Sequence, residues 1–150
     1  MQDISISRSN ERAKNWGVPV PGDDSQTVFV WFDALNIYHT VVGFGKDKKS
    51  YEKWWPADSH VIGKGIIRFH AVYWPAMLLS AGLPLPENLL VHGHITVDGK
   101  KMSKRLKNFP DPSEIMEKHG ADALRYYMLT SQVLKAGDLK FSETEVVEVY

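Results

Sequence analysis

The chain has 150 residues, enough for one domain with a hydrophobic core. Its 18 basic and 18 acidic side chains give no net charge, which does not fit a protein that coats polyanions. It contains no cysteine, which excludes disulfides and thiolate metal sites. It shows no signal-peptide pattern and no apolar run long enough to cross a bilayer, so we expect a cytoplasmic protein without a membrane partner.

The first half of the chain mixes irregular segments with one predicted strand and one helix. Residues 3–16 are polar and predict an irregular or briefly helical segment, and residues 16–23 cannot be helical because their two prolines lack amide donors. The β-branched and aromatic run 27–32 predicts a strand buried on both faces of a parallel sheet. A helix is expected next, with Asp33 as its N-cap, followed by a charged loop over residues 43–59.

The second half of the chain alternates strands with helices. Residues 60–63 predict a short strand, and the apolar spacing of residues 66–81 predicts a helix. Residues 88–97 predict the next strand. Asp111 is the expected N-cap of a further helix, which resumes over residues 121–133 after a glycine break. This alternation predicts an α/β domain with a parallel sheet.

The ends of the predicted strands indicate where a ligand would bind. Ligands of parallel sheets bind beyond the carboxyl ends of the strands. In this chain those ends are expected at residues 31–33, at residues 62–65 and in the loop after Val97. We therefore expect these three segments to meet at one site.

The loop after Val97 is the most unusual stretch of the sequence. Within residues 98–105, only one methionine and one serine separate four basic residues: Lys100, Lys101, Lys104 and Arg105. Burial cannot explain so much charge, because unpaired ammonium groups stay in water. The stretch is either a solvated hairpin tip or a mobile loop that neutralises charge developing on a polyphosphate.

Other side chains have both a structural and a functional interpretation. The glycines of the turn 63–65 either form a plain turn or let a ligand approach the backbone. His70 lies on an apolar helix face, as a core histidine or a binding residue. His92 and His94 alternate on a predicted strand, but no third ligand lies near them in the sequence, so we predict no metal site.

The order of these motifs resembles the methionyl-tRNA synthetase family, which belongs to the class I aminoacyl-tRNA synthetases. The matching segments are residues 16–23, 30–35, 60–64, 68–76 and the Lys-Met-Ser-Lys signature at 101–104. The resemblance extends from the start of the chain to about Gln132. It implies that residues 1–97 form the second half of a Rossmann-like catalytic domain with a parallel sheet. Residues 98–150 would hold the signature loop and the start of an α-helical stem-contact fold.

The resemblance also implies roles for the matching residues, in an enzyme that activates methionine with ATP and transfers it to tRNA(Met). The pocket for the methionine side chain would be lined by Trp31, Ala34, Tyr38, Ile66, His70 and Trp74. The ATP site would comprise Gly63, Val91, His92, Lys101, Met102, Ser103 and Lys104. Lys101 and Lys104 would be catalytic, because they would steady the phosphates while the methionine carboxylate attacks the α-phosphate. Mg²⁺ would accompany ATP, and no zinc site is expected within the chain.

The sequence departs from the family pattern at three points. The first class I signature, of the His-Ile-Gly-His type, is absent, so we expect a fragment that is inactive without the amino-terminal half of the catalytic domain. Gly65 stands where the family has an acidic residue that holds the ribose hydroxyls, and Arg105 stands where serine is usual. An arginine at that position is more familiar in isoleucyl-tRNA synthetases. Two alternatives stay open: an isoleucyl-type or other branched-chain synthetase fragment, and a non-catalytic relative that binds nucleotide or tRNA.

Overall fold

The computed structural model describes residues 3–103 and 107–149, except for the side chain of Lys101. These residues form two compact units, each assembled from two stretches of the chain. The first unit contains the described residues of Met1–Asp58 together with Phe69–Glu87. The second contains Ser59–Arg68 together with the described residues of Asn88–Tyr150.

The first unit contains a small antiparallel sheet. Its strands are β1 (Ser7–Ser9), β2 (Pro19–Val20) and β3 (Asp23–Val28), with β3 in the middle, and helix α1 (Asn10–Ala13) follows β1. The prediction of a buried parallel strand over residues 27–32 is therefore wrong, since β3 is antiparallel and ends at Val28. The following residues are helical, because buried Leu35 and His39 recur at the four-residue spacing of a helix face.

The rest of the first unit is helical. Its elements are α2 (Val30–Ala34), α3 (Ile37–Thr40), α4 (Lys48–Trp54), a π-helical turn (Phe69–Tyr73) and α5 (Trp74–Ser80). Asp33 lies inside α2 and is not an N-cap, because the helix begins after Phe29. The predicted loop 43–59 contains α4, which Asp47 caps by accepting a hydrogen bond from the Ser50 amide at 3.0 Å.

The core of the first unit is an aromatic and aliphatic cluster. Its buried members are Leu35, Trp55, Trp74 and Leu78. Each such side chain stabilises the fold by about 1.5–3 kcal/mol relative to an exposed one. Trp55 also donates from its indole nitrogen to the carbonyl of Pro84 at 3.0 Å, which ties α4 to the segment after α5.

The second unit contains the parallel strand pairs. Strand β4 (His60–Gly63) pairs in parallel with β5 (Leu89–His92). Strand β6 (Ile95–Val97) lies between β7 (Lys100–Lys101), which is antiparallel, and β8 (Leu139–Lys140), which is parallel. The α/β class with parallel pairing is therefore confirmed, although in small sheets.

The predicted strand 88–97 is two strands that belong to different sheets. The chain changes sheet at Gly93, which lies against the backbone of Gly137 so closely that a Cβ atom would fall 1.8 Å from the Gly137 carbonyl oxygen. The predicted helix 66–81 is divided into three helical segments. The first is a 3₁₀ turn (Lys64–Ile66) in this unit, and the other two are the π-turn and α5 of the first unit.

Three helices complete the second unit: α6 (Pro112–His119), α7 (Ala121–Thr130) and α8 (Glu143–Glu148), with a 3₁₀ turn over Gln132–Lys135. Asp111 caps α6 as predicted, because its carboxylate accepts from the Ser113 amide at 2.8 Å. The core residues are Ile115, Ala123, Tyr127, Val133, Leu139 and Val146. No helix in the described part of the chain is long and apolar enough to cross a membrane.

Candidate active-site groups

Four of the side chains predicted to contact methionine form an aromatic cluster in the first unit. Trp31 lies edge-on to His70, with ring centroids 6.4 Å apart, and Tyr38 contacts both His70 and Trp74 at 5.5 and 6.3 Å. Phe69 stacks on Trp31 at 4.0 Å and holds its ring in place. The four residues come from α2, α3, the π-turn and α5, so the cluster depends on the packing of all these elements.

A polar contact between two side chains lies inside this cluster. The Tyr38 hydroxyl and His70 Nε2 are 2.7 Å apart, a hydrogen bond whose donor depends on the tautomer of the imidazole. His70 is only 3% exposed, and burial raises the pKa of Tyr38. The phenol therefore stays protonated at neutral pH and can donate to the imidazole, which fixes both rings.

Trp74 lies at the centre of the first unit and is 1% exposed. Its indole nitrogen has no hydrogen-bond partner among the described residues. His39 packs edge-on against Trp74 with centroids 5.3 Å apart and is held by the Asn36 amide oxygen at 2.9 Å. Burial lowers the pKa of His39, so this imidazole is a neutral part of the core.

The other two residues predicted to line the methionine pocket lie elsewhere. Ala34 is exposed at the end of α2. Ile66 is in the 3₁₀ turn of the second unit.

The first unit also has an apolar cavity of about 640 Å³, which the sequence did not predict. Of the predicted pocket residues, it includes only Trp74. Ile4 and Ile6 contribute to its lining from the polar stretch at the start of the chain, where isolated apolar residues give no periodic signal.

The predicted nucleotide residues Gly63, Val91 and His92 come together in the second unit. They lie at the carboxyl ends of β4 and β5, where Gly63 pairs with His92 and Ile62 with Val91. A Cβ atom at Gly63 would be 3.4 Å from the His92 ring. The sequence predicted the strand end at Gly63 correctly, but it placed the end of the next strand after Val97, whereas β5 ends at His92. The prediction of a third strand end at residues 31–33 is wrong, because these residues lie within α2.

An ion pair that the sequence did not predict lies beside these strand ends. The Asp138 carboxylate accepts from Lys64 Nζ at 2.6 Å and from the His94 amide at 2.8 Å. These two hydrogen bonds lower the pKa of Asp138. Asp138 is separated from both partners by long stretches of sequence, so no local pattern could have revealed the contact.

The basic loop begins as a β-hairpin. Asp98 and Gly99 have positive φ angles of 51° and 71° and connect β6 to β7 in a two-residue turn. Beyond β7, the Ser103 amide donates to the Asn108 side-chain oxygen at 3.0 Å. The side chain of Lys101 and the whole of Lys104 and Arg105 lie outside the described residues.

Met102 belongs to an apolar recess of about 270 Å³ in the second unit. The recess is lined by Ile95, Met102, Pro110, Pro112, Ile115, Leu124, Met128 and Phe141. The methionine of the signature loop therefore lines the same recess as residues of α6 and α7. In the part of the chain that the structure describes, no group of three or more His, Asp or Glu side chains could hold a metal ion.

Comparison with known proteins places these groups in a family. A family model described as "tRNA synthetases class I (M)" matches residues 1–150. The chain therefore belongs to the class I tRNA synthetases.

Its similar relatives are methionine–tRNA ligases. The chain is 50% identical over 154 residues to the methionine–tRNA ligase of Nostoc sp., which covers 99% of this chain and 28% of that protein. It is 46% identical over 149 residues to the mitochondrial methionine–tRNA ligase of Homo sapiens, covering 99% of this chain and 24% of that protein. The chain thus spans about a quarter of the length of these relatives.

A solved structure has the same fold. Mycobacterium tuberculosis methionyl-tRNA synthetase in complex with methionyl-adenylate superposes with a TM-score of 0.84 at 42% identity, covering 99% of this chain and 28% of that chain. This agreement supports the α/β assignment and the class I family.

Proposed function

We propose that this chain is part of a methionine–tRNA ligase that forms methionyl adenylate from methionine and ATP and then transfers the methionyl group to tRNA(Met). The observation that carries the proposal is the aromatic cluster with its Tyr38–His70 hydrogen bond, in a chain 42% identical to a methionyl-tRNA synthetase solved with methionyl-adenylate. We propose the cytoplasm as the compartment, although relatives named as mitochondrial also occur.

In this proposal the first unit provides the contacts for the methionine side chain. Sulfur makes favourable contacts with aromatic rings, and Trp31, Tyr38 and Trp74 present three such rings around His70. The Tyr38–His70 hydrogen bond lies within this group of rings. A branched aliphatic side chain has no sulfur atom for contacts with aromatic rings. This difference favours methionine over isoleucine.

The second unit provides the proposed contacts for ATP. Gly63, Val91 and His92 lie at the ends of parallel strands, which is where α/β proteins bind nucleotides. The proposed roles of Met102 and Ser103 follow from their place in the signature loop. Lys101 and Lys104 would neutralise the charge that develops as the methionine carboxylate displaces pyrophosphate from the α-phosphate.

Mg²⁺ would enter with ATP. No cluster of carboxylate or imidazole ligands in the described residues fits a resident ion. The proposed division at residue 97, between the catalytic half-domain and the stem-contact segment, places the loop and α6–α8 on the side that would lead toward tRNA.

The proposal is tested by methionine-dependent exchange of pyrophosphate into ATP. The chain would be assayed alone and mixed with the amino-terminal segment of the Mycobacterium tuberculosis enzyme, with methionine, isoleucine, leucine and valine in turn. We expect exchange in the mixture with methionine only. Exchange that prefers isoleucine would contradict the proposal that methionine is the substrate. No exchange in any mixture would favour the alternative of a non-catalytic relative that binds nucleotide or tRNA.

A matched pair of variants tests the residues. Tyr38→Phe removes the hydroxyl that holds His70, and we expect the KM for methionine to rise about tenfold, as for one lost hydrogen bond. Tyr126→Phe removes an exposed hydroxyl in the second unit and should leave the KM unchanged. Equal effects of the two variants would exclude a role of the Tyr38–His70 pair in methionine binding.

A further inference from the structure

A groove beside the small antiparallel sheet of the first unit takes no part in the proposed contacts with methionine or ATP. It has a volume of about 650 Å³ and is lined by residues of β1, α1, β3 and α2 and of the loop after α1. Trp16 lines this groove and is 80% exposed, the largest exposed fraction of any large apolar side chain in the described residues. Its ring is therefore accessible to a flat ligand that can stack on it.

The groove also carries an excess of positive charge. The guanidinium groups of Arg8 and Arg12 line it against one carboxylate, that of Asp33. Neither arginine forms an ion pair with another described residue. Arg8 is held by a cation–π contact, with its Cζ atom 4.4 Å from the centre of the Phe29 ring. Both guanidinium groups can therefore bind phosphate oxygens, which match their planar arrangement of donors.

Hydrogen bonds fix Trp16 and helix α1 relative to the sheet. The Trp16 amide donates to the Ala13 carbonyl at 3.1 Å, at the end of α1. At the start of α1, the side-chain nitrogen of Asn10 donates to the Asp24 carbonyl at 2.7 Å. The side-chain oxygen of Asn10 accepts from the Thr27 hydroxyl at 2.6 Å. The two sides of the groove are thus joined by contacts within the protein, and a ligand does not have to assemble them.

Helix α2 connects the groove to the aromatic cluster of the proposed methionine site. Val30 and Asp33 of this helix line the groove, whereas Trp31 belongs to the cluster. Residues three apart share a helix face, and the residue next to one of them points elsewhere. An α-helix with its side chains is about 10–12 Å wide, so a ligand in the groove lies about one helix width from the proposed methionine contacts.

We propose that this groove binds the unpaired 3′ end of tRNA, with a base stacked on Trp16 and backbone phosphates bound by Arg8 and Arg12. An exposed aromatic ring beside uncompensated cations suits single-stranded nucleic acid, because each nucleotide offers a stacking face and a phosphate. The inference rests on the proposed transfer of the methionyl group to tRNA(Met) and adds the surface that receives the RNA. The position beside α2 suits this role, because the end of the tRNA has to reach the methionyl adenylate.

The test is titration of the full 150-residue chain into a dye-labelled single-stranded RNA with the sequence of the acceptor end, followed by fluorescence anisotropy at several salt concentrations. Trp16→Ala should weaken binding about tenfold, as for one lost base stack, and leave the salt dependence unchanged. Trp16→Phe keeps a ring and should recover most of the affinity. Arg12→Gln removes a phosphate contact, so the slope of log K against log salt concentration should become shallower by about 0.7.

A second exposed tryptophan of the first unit provides matched controls. Trp54 is 58% exposed and has Lys53 Nζ 4.6 Å from the centre of its ring, but neither residue lines the groove. Trp54→Ala and Lys53→Gln should therefore leave the affinity for the RNA unchanged. A fully paired RNA should bind more weakly than the single strand, because its bases are not free to stack on Trp16.

Pyrophosphate exchange needs no RNA, whereas methionyl transfer does, and this difference separates the groove from the proposed ligase activity. In the mixture with the amino-terminal segment, Trp16→Ala should keep methionine-dependent exchange while kcat/KM for tRNA falls about tenfold.

Each outcome decides the question. The groove is refuted if the wild-type chain does not bind the single strand, if Trp16→Ala and Arg12→Gln bind it like the wild type, or if the controls lose as much affinity. Equal binding of paired RNA would refute it as well. In each of these cases, methionine-dependent exchange would still support the ligase. Loss of RNA binding in the two groove variants alone, with no exchange in any mixture, would support the groove and refute the ligase.

Discussion

Replacing Gly93 with alanine tests the contact that joins the two sheets of the second unit. The added Cβ atom would lie 1.8 Å from the Gly137 carbonyl oxygen and 2.5 Å from its carbon, whereas ordinary contact begins at 3.4 Å. The obstructing atoms belong to the backbone, so no side-chain rotation can make room. One of the two segments has to move away.

Three hydrogen bonds oppose that movement. The Gly93 amide donates to Val133 at 2.8 Å, the His94 amide donates to Asp138 at 2.8 Å, and the Leu139 amide donates to the His94 carbonyl at 2.9 Å. Loss of these bonds at about 1 kcal/mol each, or the strain of keeping them, gives a destabilisation of about 2–4 kcal/mol. The urea midpoint should fall by roughly 1–2 M.

The measurement must report on the second unit. All five tryptophans are in the first unit, so tryptophan fluorescence would follow the wrong part of the chain. We would instead measure hydrogen exchange of the His94 and Leu139 amides together with urea unfolding by circular dichroism. Gly65→Ala is the matched control, because its Cβ atom meets only His94 Nε2 at 3.4 Å, and its effect should stay within about 0.5 kcal/mol. Equal stability of Gly93→Ala and wild type, with unchanged amide protection, would refute the argument.

Two further predictions concern the first unit. Trp74→Ala should lower the free energy of unfolding by about 3–5 kcal/mol, because Trp74 is buried. Trp54→Ala, at a 58% exposed site, should lower it little. Urea unfolding compares the two variants, and similar losses of stability would contradict the assignment of Trp74 to the core. Burial lowers the pKa of His39, so the unfolded state binds its proton first as the pH falls. Stability should therefore decrease below about pH 6.5, and His39→Gln should lack this slope; a slope that persists in the variant would contradict the assignment.

Local signals in the sequence predicted the second unit well. The N-cap at Asp111, the break at Gly120 and the strand ending at Gly63 are all present, because each depends on residues close in sequence. The run 27–32 was assigned wrongly because a short apolar run fits a buried strand and a buried helix equally well. The division at Gly93 could not be predicted, since it depends on a backbone 44 residues away, at Gly137.

The candidate site shows the same difference between features that depend on nearby residues and features that depend on distant ones. The sequence named Tyr38, His70 and Trp74, and the structure brings them into contact. It could not show that Tyr38 and His70 share a hydrogen bond, nor that Asp138 neutralises Lys64, because both pairs join distant parts of the chain. The roles of Lys101 and Lys104 stay predictions, since the side chain of Lys101 and the whole of Lys104 lie outside the described residues.

The interleaved order of the two units has a consequence for the nascent chain on the ribosome. Strand β4 is synthesised before the second segment of the first unit, and its partner β5 is made only afterwards. At about 5–20 residues per second, the edge of β4 stays unpaired for a time on the order of seconds. An unpaired strand edge is a template for incorrect pairing. Translation that stalls between Val97 and Leu139, when β6 still lacks its partner β8, should therefore leave a product that aggregates or binds chaperones, even though every residue of the first unit has already been made.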